Sequence, residues 1–386
     1  MQNKTAIDIV KSRCTGCSGC AAVCPVGAIS FRENKEGFYY PQIDRAKCTG
    51  CNLCIKACPA IHYERNNKNN AKCFSGWAKN QGVVRTSSSG GIFFELAKEA
   101  LEKGYSVVGV IMENKRPRHV CSDKLEIVNK MRGSKYLQSY AGDAYKEIIK
   151  NRTKKYFFTG TPCQVAAINN LKKLYKIQDD NIITCDIVCH GVPSFKLFDK
   201  YLKELGITDI KEINFRDKST GWGKWSMSIN SPNKNYKQMK YQDSFYKIFL
   251  SNLAMRSACF DCPYAELPRL GDITLADFWG VEEKYKNNLG TSAIMINNKQ
   301  GEKLFSATRA TLNVNSVKQE VITENNHRAA KRYMNIPKNR NRFLANIDSL
   351  PLNKNYRKNL RFDFYFYKFR SIIFKIKKFI KKKLIW

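Results

Sequence analysis

Eight of the fifteen cysteines fall in two matching runs near the start of the chain, and no other feature restricts the fold as much. Cys14, Cys17, Cys20 and Cys24 precede Pro25, and Cys48, Cys51, Cys54 and Cys58 precede Pro59, so both runs obey C-x2-C-x2-C-x3-C-P. Three thiolates this close in sequence suit three corners of one iron–sulfur cubane, and the fourth cysteine of each run reaches the other cluster. The expected sets are Cys14, Cys17, Cys20 with Cys58, and Cys48, Cys51, Cys54 with Cys24. Each proline stops the short helix that carries the fourth ligand. Structural zinc, the bland alternative, usually pairs two CxxC knuckles and fits these runs poorly. The intervening "AISFRENKEGFYYPQIDRAKC" reads as a small hairpin followed by a return strand.

The chain of 386 residues is long enough for two or three domains, and 43% hydrophobic content marks it as globular. No apolar stretch approaches the roughly 18 residues that a spanning helix needs. The first residues, MQNKTAIDIVKSRC, lack a signal-peptide apolar core, so the expected compartment is the cytoplasm. In a reducing compartment the cysteines read as metal ligands rather than a disulfide framework. The net charge of +34 calls for an acidic partner, an anionic cofactor, a membrane surface or nucleic acid.

Beyond a polar stretch, "VVRTSSSGGIFFELAKEALEKGYSVVGVIME" predicts a Ser-Gly turn, a helix over 92–103, Gly104 as its cap and a buried strand over 106–112. Small residues before a helix expose backbone amides to an anion, although a plain capped turn reads equally well. "KKYFFTGTPCQVAAINNLKKLY" and "NIITCDIVCHGVPSFKLFDKYLKELG" each read as strand, tight turn and helix, which argues for an α/β core. Cys163 and Cys189 lie at those two turns, and Cys259 and Cys262 form "CFDCPY". Four thiolates from three loops could hold a third cubane, or zinc. Cys73, Cys121 and Cys185 read as small buried hydrophobes, with a ligand role left open for Cys185.

Over residues 8 to 62 the paired runs resemble the bacterial two-cluster ferredoxins. Together with "SSSGGIF", "MRGSKYLQS", "GTPCQ", "CHGVPS", "FRDK", "CFDCPYAE" and "GDITLADFWG", they resemble the beta subunit of coenzyme F420-reducing hydrogenase and its dehydrogenase relatives over roughly residues 8 to 345. The resemblance implies an α/β core of the F420 hydrogenase beta-subunit type preceded by a small α+β ferredoxin-like domain. Residues 1–66 would form the ferredoxin-like domain, 67–345 the FAD and iron–sulfur domain, and 346–386 a basic amphipathic tail. It also implies three [4Fe-4S] clusters, the third on Cys163, Cys189, Cys259 and Cys262, and FAD. Ser88, Ser89, Gly90 and Gly91 would lie near the flavin, with Arg132, Gly133, Ser134 and Lys135 close by. Arg132 and Lys135 would then favour an anionic reduced flavin or a pyrophosphate.

The expected function is an iron–sulfur flavoprotein oxidoreductase that moves electrons between a two-electron donor or substrate and one-electron carriers. The alternative is an electron-transfer subunit without a substrate site, serving a partner enzyme. Reduced coenzyme F420, a nicotinamide or reduced ferredoxin would suit as carrier. Eight basic against four acidic side chains in residues 1–62 would suit an acidic ferredoxin. His190, Asp272 and Asp277 are polar candidates near the flavin, with structural readings for each and no catalytic acid assigned. By the same resemblance, the chain looks like stand-alone bacterial members associated with surface-polysaccharide synthesis, which would make the substrate a sugar or lipid-linked sugar.

Near the end of the chain, Phe369, Ile372, Ile373, Ile376, Phe379 and Ile380 recur at helical spacing among lysines. Such a helix would contact an anionic membrane from its inner face, or dock on the protein body or a partner subunit. No recognised nucleic-acid-binding fold accompanies the basic residues, so nucleic acid is not the expected partner.

Overall fold

The computed structural model describes residues 4–63, 71–113 and 115–360. The expected hairpin between the cysteine runs is present as β1 (Ile29–Glu33) and β2 (Tyr39–Ile43), paired antiparallel with Ile29 opposite Ile43. Among the described residues, no third strand joins that sheet. Short helices Gly19–Ala22 and Leu53–Ala57 carry the third cysteines, Cys20 and Cys54, and precede Cys24-Pro25 and Cys58-Pro59.

The body is built on an eight-stranded sheet. Its strands are β3 (Lys72–Ala78), β4 (Ser106–Glu113), β5 (Arg116–Ser122), β6 (Tyr156–Gly160) and β7 (Ile182–Ile187), then three more from the later chain. Between these groups, β8 (Glu212–Asp217), β9 (Ser226–Asn230) and β10 (Asn235–Met239) form a separate antiparallel sheet. β11 (Ile273–Asp277), β12 (Ser292–Ile296) and β13 (Leu312–Ser316) complete the large one, in the order β13-β3-β12-β11-β7-β6-β4-β5.

The four central strands β4, β6, β7 and β11 run parallel, and the flanking pairs are antiparallel. The apolar runs YFF and IITC explain the centre: Tyr156, Phe157, Phe158, Ile182 and Ile183 are buried as strands covered on both faces must be. Helix Ile92–Glu102 buries Ile92, Leu96, Ala97 and Ala100, spaced along one face, against the sheet. Between β6 and β7, helix Pro162–Leu174 begins with proline at its first position, and Thr161 and Gln164 form a capping box.

A separate aromatic core, including Phe195, Phe198, Phe215, Phe245 and Phe249, joins helix Phe195–Leu205 to the small sheet. Ile347 and Leu352 are fully buried in this core, and the Leu352 amide donates to Glu204 at 2.9 Å. The expected tail from 346 is therefore corrected: the packed body continues through helix Leu352–Leu360. The amphipathic pattern from Phe369 to Ile380 lies outside the described residues. Among the described residues no helix is long and apolar enough to cross a membrane.

Candidate redox site

The two cysteine runs adopt the same local backbone. Gly16 and Gly50 sit at φ +71° and +70°, and Ser18 and Asn52 at +71° and +61° enter the two short helices in left-handed geometry. Repeated C-T-G-C-x-x-C thus folds into repeated turns that carry three cysteines around one centre. Gly16 is also required by space, because a Cβ there would stand 1.9 Å from Gln138 Nε2.

Cys24, Cys48, Cys51 and Cys54 line one small cavity, which brings together the second set expected from sequence. The Ala28 amide donates to Cys24 Sγ at 3.2 Å, and Cys51 is exposed. In the other set, burial pushes up the Cys17, Cys20 and Cys58 thiols, Cys58 to about 11. Cys14 and Cys58 add to the rise at Cys17, and Cys17, Cys14 and Cys58 to that at Cys20. The four thiols therefore lie within electrostatic reach of one another.

The later cysteines converge from the ends of β6 and β7 and from the segment after helix Ser244–Leu250. Burial raises the Cys163 thiol to about 12, with Cys262 and Cys259 adding to it. Cys189 is raised by burial and by Cys259, Cys163 and Cys262. Cys163 is the second residue of helix Pro162–Leu174, where the helix dipole favours a thiolate, and Thr161 Oγ1 stands 3.2 Å from its sulfur. Arg328 donates to the Cys259 carbonyl at 3.1 Å and brings positive charge beside Cys189. Among the described residues, no three His, Cys, Asp or Glu side chains are drawn together as a single metal ion requires. A four-iron cubane holds its thiolates farther apart than one ion does.

Buried side chains lock the cysteine-rich unit onto the body. Arg256, fully buried, donates through Nε to the Cys14 carbonyl (2.8 Å) and through Nη1 to Tyr39 O (2.9 Å) and Gln138 Oε1 (3.0 Å). Gln138 in turn donates to the carbonyls of Gly16 and Thr15. The Tyr264 ring lies between sets: Cys17, Cys163, Cys58 and Cys262 all act on its phenol, and its buried hydroxyl has no hydrogen-bond partner among the described residues.

At the carboxyl ends of β6, β7 and β11 opens a cavity of about 760 Å³. It reaches from Ser87–Ser89 and Arg132–Lys135 to Cys189 and His190, and a parallel sheet commonly binds ligands at this edge. The Ser134 amide donates to Ser88 Oγ at 2.7 Å, tying together the two segments expected to adjoin. Ser89 Oγ donates to the Thr291 carbonyl at 2.8 Å.

Gly90 departs from expectation. It lies behind the wall, its amide on Ser292 Oγ, and a Cβ would stand 2.4 Å from the Gly76 carbonyl. Arg132 and Lys135 reach the cavity, but much of their donor capacity is spent inside the protein. Arg132 Nη2 donates to Val83 O and to the Thr86 and Ser87 hydroxyls. Lys135 Nζ donates to the carbonyls of Lys130, Met131 and Arg132 at 2.8–2.9 Å, closing a helix end, and burial lowers it to about 7.

His190 Nε2 pairs with Asn252 Oδ1 at 2.8 Å, a positioning contact on the cavity wall. Asp272 accepts from the Thr184 amide and hydroxyl at 2.6 and 2.8 Å, a buried structural role. Asp277 faces the cavity, paired with Arg216 and accepting from Trp222 Nε1 at 3.2 Å. Arg216, Trp225 and Trp279 on that wall carry no sequence spacing that marks them. The buried Lys218, which donates to the Val84 and Ser89 carbonyls, is equally hidden in "FRDK".

Clustered thiols beside a strand-end cavity define an iron–sulfur electron-transfer oxidoreductase, and comparisons with known proteins agree. Two family models for the coenzyme F420 hydrogenase/dehydrogenase beta subunit match, the N-terminal one over residues 73–144 and the C-terminal one over 153–320. A 4Fe-4S dicluster domain matches 13–61. The chain belongs to the coenzyme F420 hydrogenase/dehydrogenase beta-subunit family and carries an N-terminal 4Fe-4S-binding ferredoxin-like domain. A similar fold occurs in a chain of the xenon-derivatised F420-reducing [NiFe] hydrogenase complex from Methanosarcina barkeri. That chain is 17% identical with a TM-score of 0.50, and the match covers 69% of the present chain and 93% of the other. No curated protein matches the sequence.

Proposed function

We propose that the protein is an electron-transfer oxidoreductase with three [4Fe-4S] sites and an FAD site, passing electrons between a two-electron carrier at the cavity and a partner at the Cys51 surface. The order of the cysteines is the observation that carries this reading. Cys189 lines the cavity and neighbours Cys163, Cys259 and Cys262. Cys163 acts on Cys17 of the next set, Cys54 acts on Cys20 across to the last, and Cys51 of that last set is exposed. The series therefore leads from the cavity to the surface.

The donor sets suit the groups. All fifteen cysteines are free thiols, and soft thiolates are the ligands that iron–sulfur clusters take. The cavity volume falls within the range of about 300–1,000 Å³ typical of cofactor sites. Bound flavin supplies exchange between paired and single electrons, and cubanes supply single-electron carriage. This chain's residues then act as holders: Ser88 and Ser134 fix the loops, Asn252 orients His190, and Arg328 places positive charge beside the inner cysteines.

A role as an electron-transfer subunit of a larger enzyme is the form that the hydrogenase-complex likeness favours. The cavity then receives reduced coenzyme F420 or a nicotinamide, and the surface end meets the partner enzyme or an acidic ferredoxin. Anaerobic reduction tests the proposal. Protein purified without oxygen is mixed with reduced F420 or NADH, and cluster bleaching is followed with and without added FAD. FAD-dependent bleaching supports the reading, whereas bleaching by dithionite alone leaves only one-electron carriage.

A further inference from the structure

Arg216 is 3% exposed and lies on the cavity wall, yet its hydrogen bonding is half complete. Nη1 is paired with Asp277, while Nε and Nη2 make no hydrogen bond of normal geometry among the described residues, the Tyr136 hydroxyl being the nearby group that acts on the guanidinium. Those two nitrogens form the side-on fork of a guanidinium, whose parallel N–H groups match the two oxygens of a carboxylate or phosphate. Charged donors left buried and unpaired lose their hydration without return, so a bound anion that takes them is favoured.

The fork is also held in place. The Arg216 guanidinium stacks over Trp225 at 4.3 Å and reaches toward Trp279 at 5.6 Å. Trp279 is stacked on Trp222 at 4.9 Å, and Trp222 donates to the Asp277 carboxylate that holds Nη1. Lys240 Nζ, 3.4 Å from the Trp225 ring centre, adds a second positive charge. Two cations against the one carboxylate of Asp277 leave the locality positive, and burial strengthens its attraction for an anion.

We propose that Arg216 is an oxyanion receptor of the cavity, taking a phosphate or carboxylate of the bound ligand on its Nε/Nη2 fork. The proposal rests on the cavity being the ligand site described above, but not on that ligand being a flavin. The oxyanion belongs either to the flavin's pyrophosphate or to the two-electron carrier. The competing occupant is water, which would satisfy the same donors without selecting a ligand.

The test uses the anaerobically purified, flavin-free full chain with its clusters in place. Pyrophosphate, FAD and riboflavin are titrated separately against wild type, Arg216→Met and Arg216→Lys. Arg216→Lys keeps the charge beside Asp277 but lacks the fork, so it is the deciding variant where Arg216→Met fails to fold. Pyrophosphate binding is expected to weaken about tenfold or more in Arg216→Lys. Weakened FAD with unchanged riboflavin assigns the oxyanion to the flavin; both flavins unchanged assigns it to the carrier. Pyrophosphate binding that is absent in wild type, or equal in wild type and Arg216→Lys, overturns the proposal. Wild type that takes pyrophosphate but neither flavin would sink the FAD reading while leaving the receptor standing.

Discussion

The ferredoxin-like unit and the inner cysteine set bring their thiols together by opposite routes. In the first, a short sequence repeat encodes its own turns, with Gly16 and Gly50 at matching positive φ and three cysteines delivered by each loop. In the second, Cys163, Cys189 and the Cys259–Cys262 pair meet because β6 and β7 end side by side and a later loop packs over them. The first site is specified locally, and the second is specified by the fold. A local site should tolerate damage to the body, and a fold-made site should not.

The largest expected effect separates the two directly. Cys262→Ala should remove about four irons per chain and leave the two ferredoxin-type clusters, whose ligands are elsewhere. Iron and sulfide analysis with electron paramagnetic resonance would check this, and loss of the outer signals would break the comparison. Donor-driven reduction of those outer clusters should fall at least about a hundredfold in the same variant, because the route from the cavity is cut.

Next in size is the joint between the regions. Arg256→Met removes the donors to Cys14 O, Tyr39 O and Gln138, and should cost about 3 kcal/mol in urea unfolding. Unchanged unfolding would mean that the two units are joined elsewhere.

The body also carries a buried histidine that makes it acid-sensitive. His119 is buried, its Nε2 within 3.0 Å of the Thr159 carbonyl, and burial lowers it from 6.5 to about 4. Above pH 6.5 both folded and unfolded forms are neutral there. Below it the unfolded chain takes up a proton that the folded one refuses, so stability falls from pH 6.5 to 4 by about 3 kcal/mol. Stability curves for wild type and His119→Gln should diverge over that window, and parallel curves would refute the assignment.

The smallest effect concerns Tyr264, whose unpartnered hydroxyl lies among cysteines of both sets. A hydrogen bond to cluster sulfur raises the cluster potential. Tyr264→Phe should therefore lower the midpoint of one cluster without changing iron content, as a spectroscopic redox titration would show. An unmoved midpoint would make Tyr264 a packing residue alone.

Legibility follows the same division. The cysteine repeat, helix Ile92–Glu102 and the apolar runs of β6 and β7 are readable because their signals lie within a few neighbouring residues. The convergence of Cys163, Cys189, Cys259 and Cys262 is legible only through resemblance, since nothing in their spacing distinguishes a cubane from zinc. Arg216 stands in the quoted "FRDK", but its role is not legible there because its environment is assembled from Trp225, Trp279 and Asp277, which only the folded sheet brings together. Arg132 and Lys135 can be placed near the cavity but not oriented: the carbonyls at the end of the preceding helix, and acceptors on helix Gln81–Thr86 and its cap Ser87, take their N–H groups first. Gly90 illustrates the same limit, its small size serving close packing on Gly76.

On the proposed reading, the fold itself builds a third cluster site between the cavity and the ferredoxin-like unit. Iron and acid-labile sulfide per chain, measured after strictly anaerobic purification, test it most directly. About twelve of each is the expected result, four for every cubane. About eight of each, with Cys262→Ala indistinguishable from wild type, would contradict it.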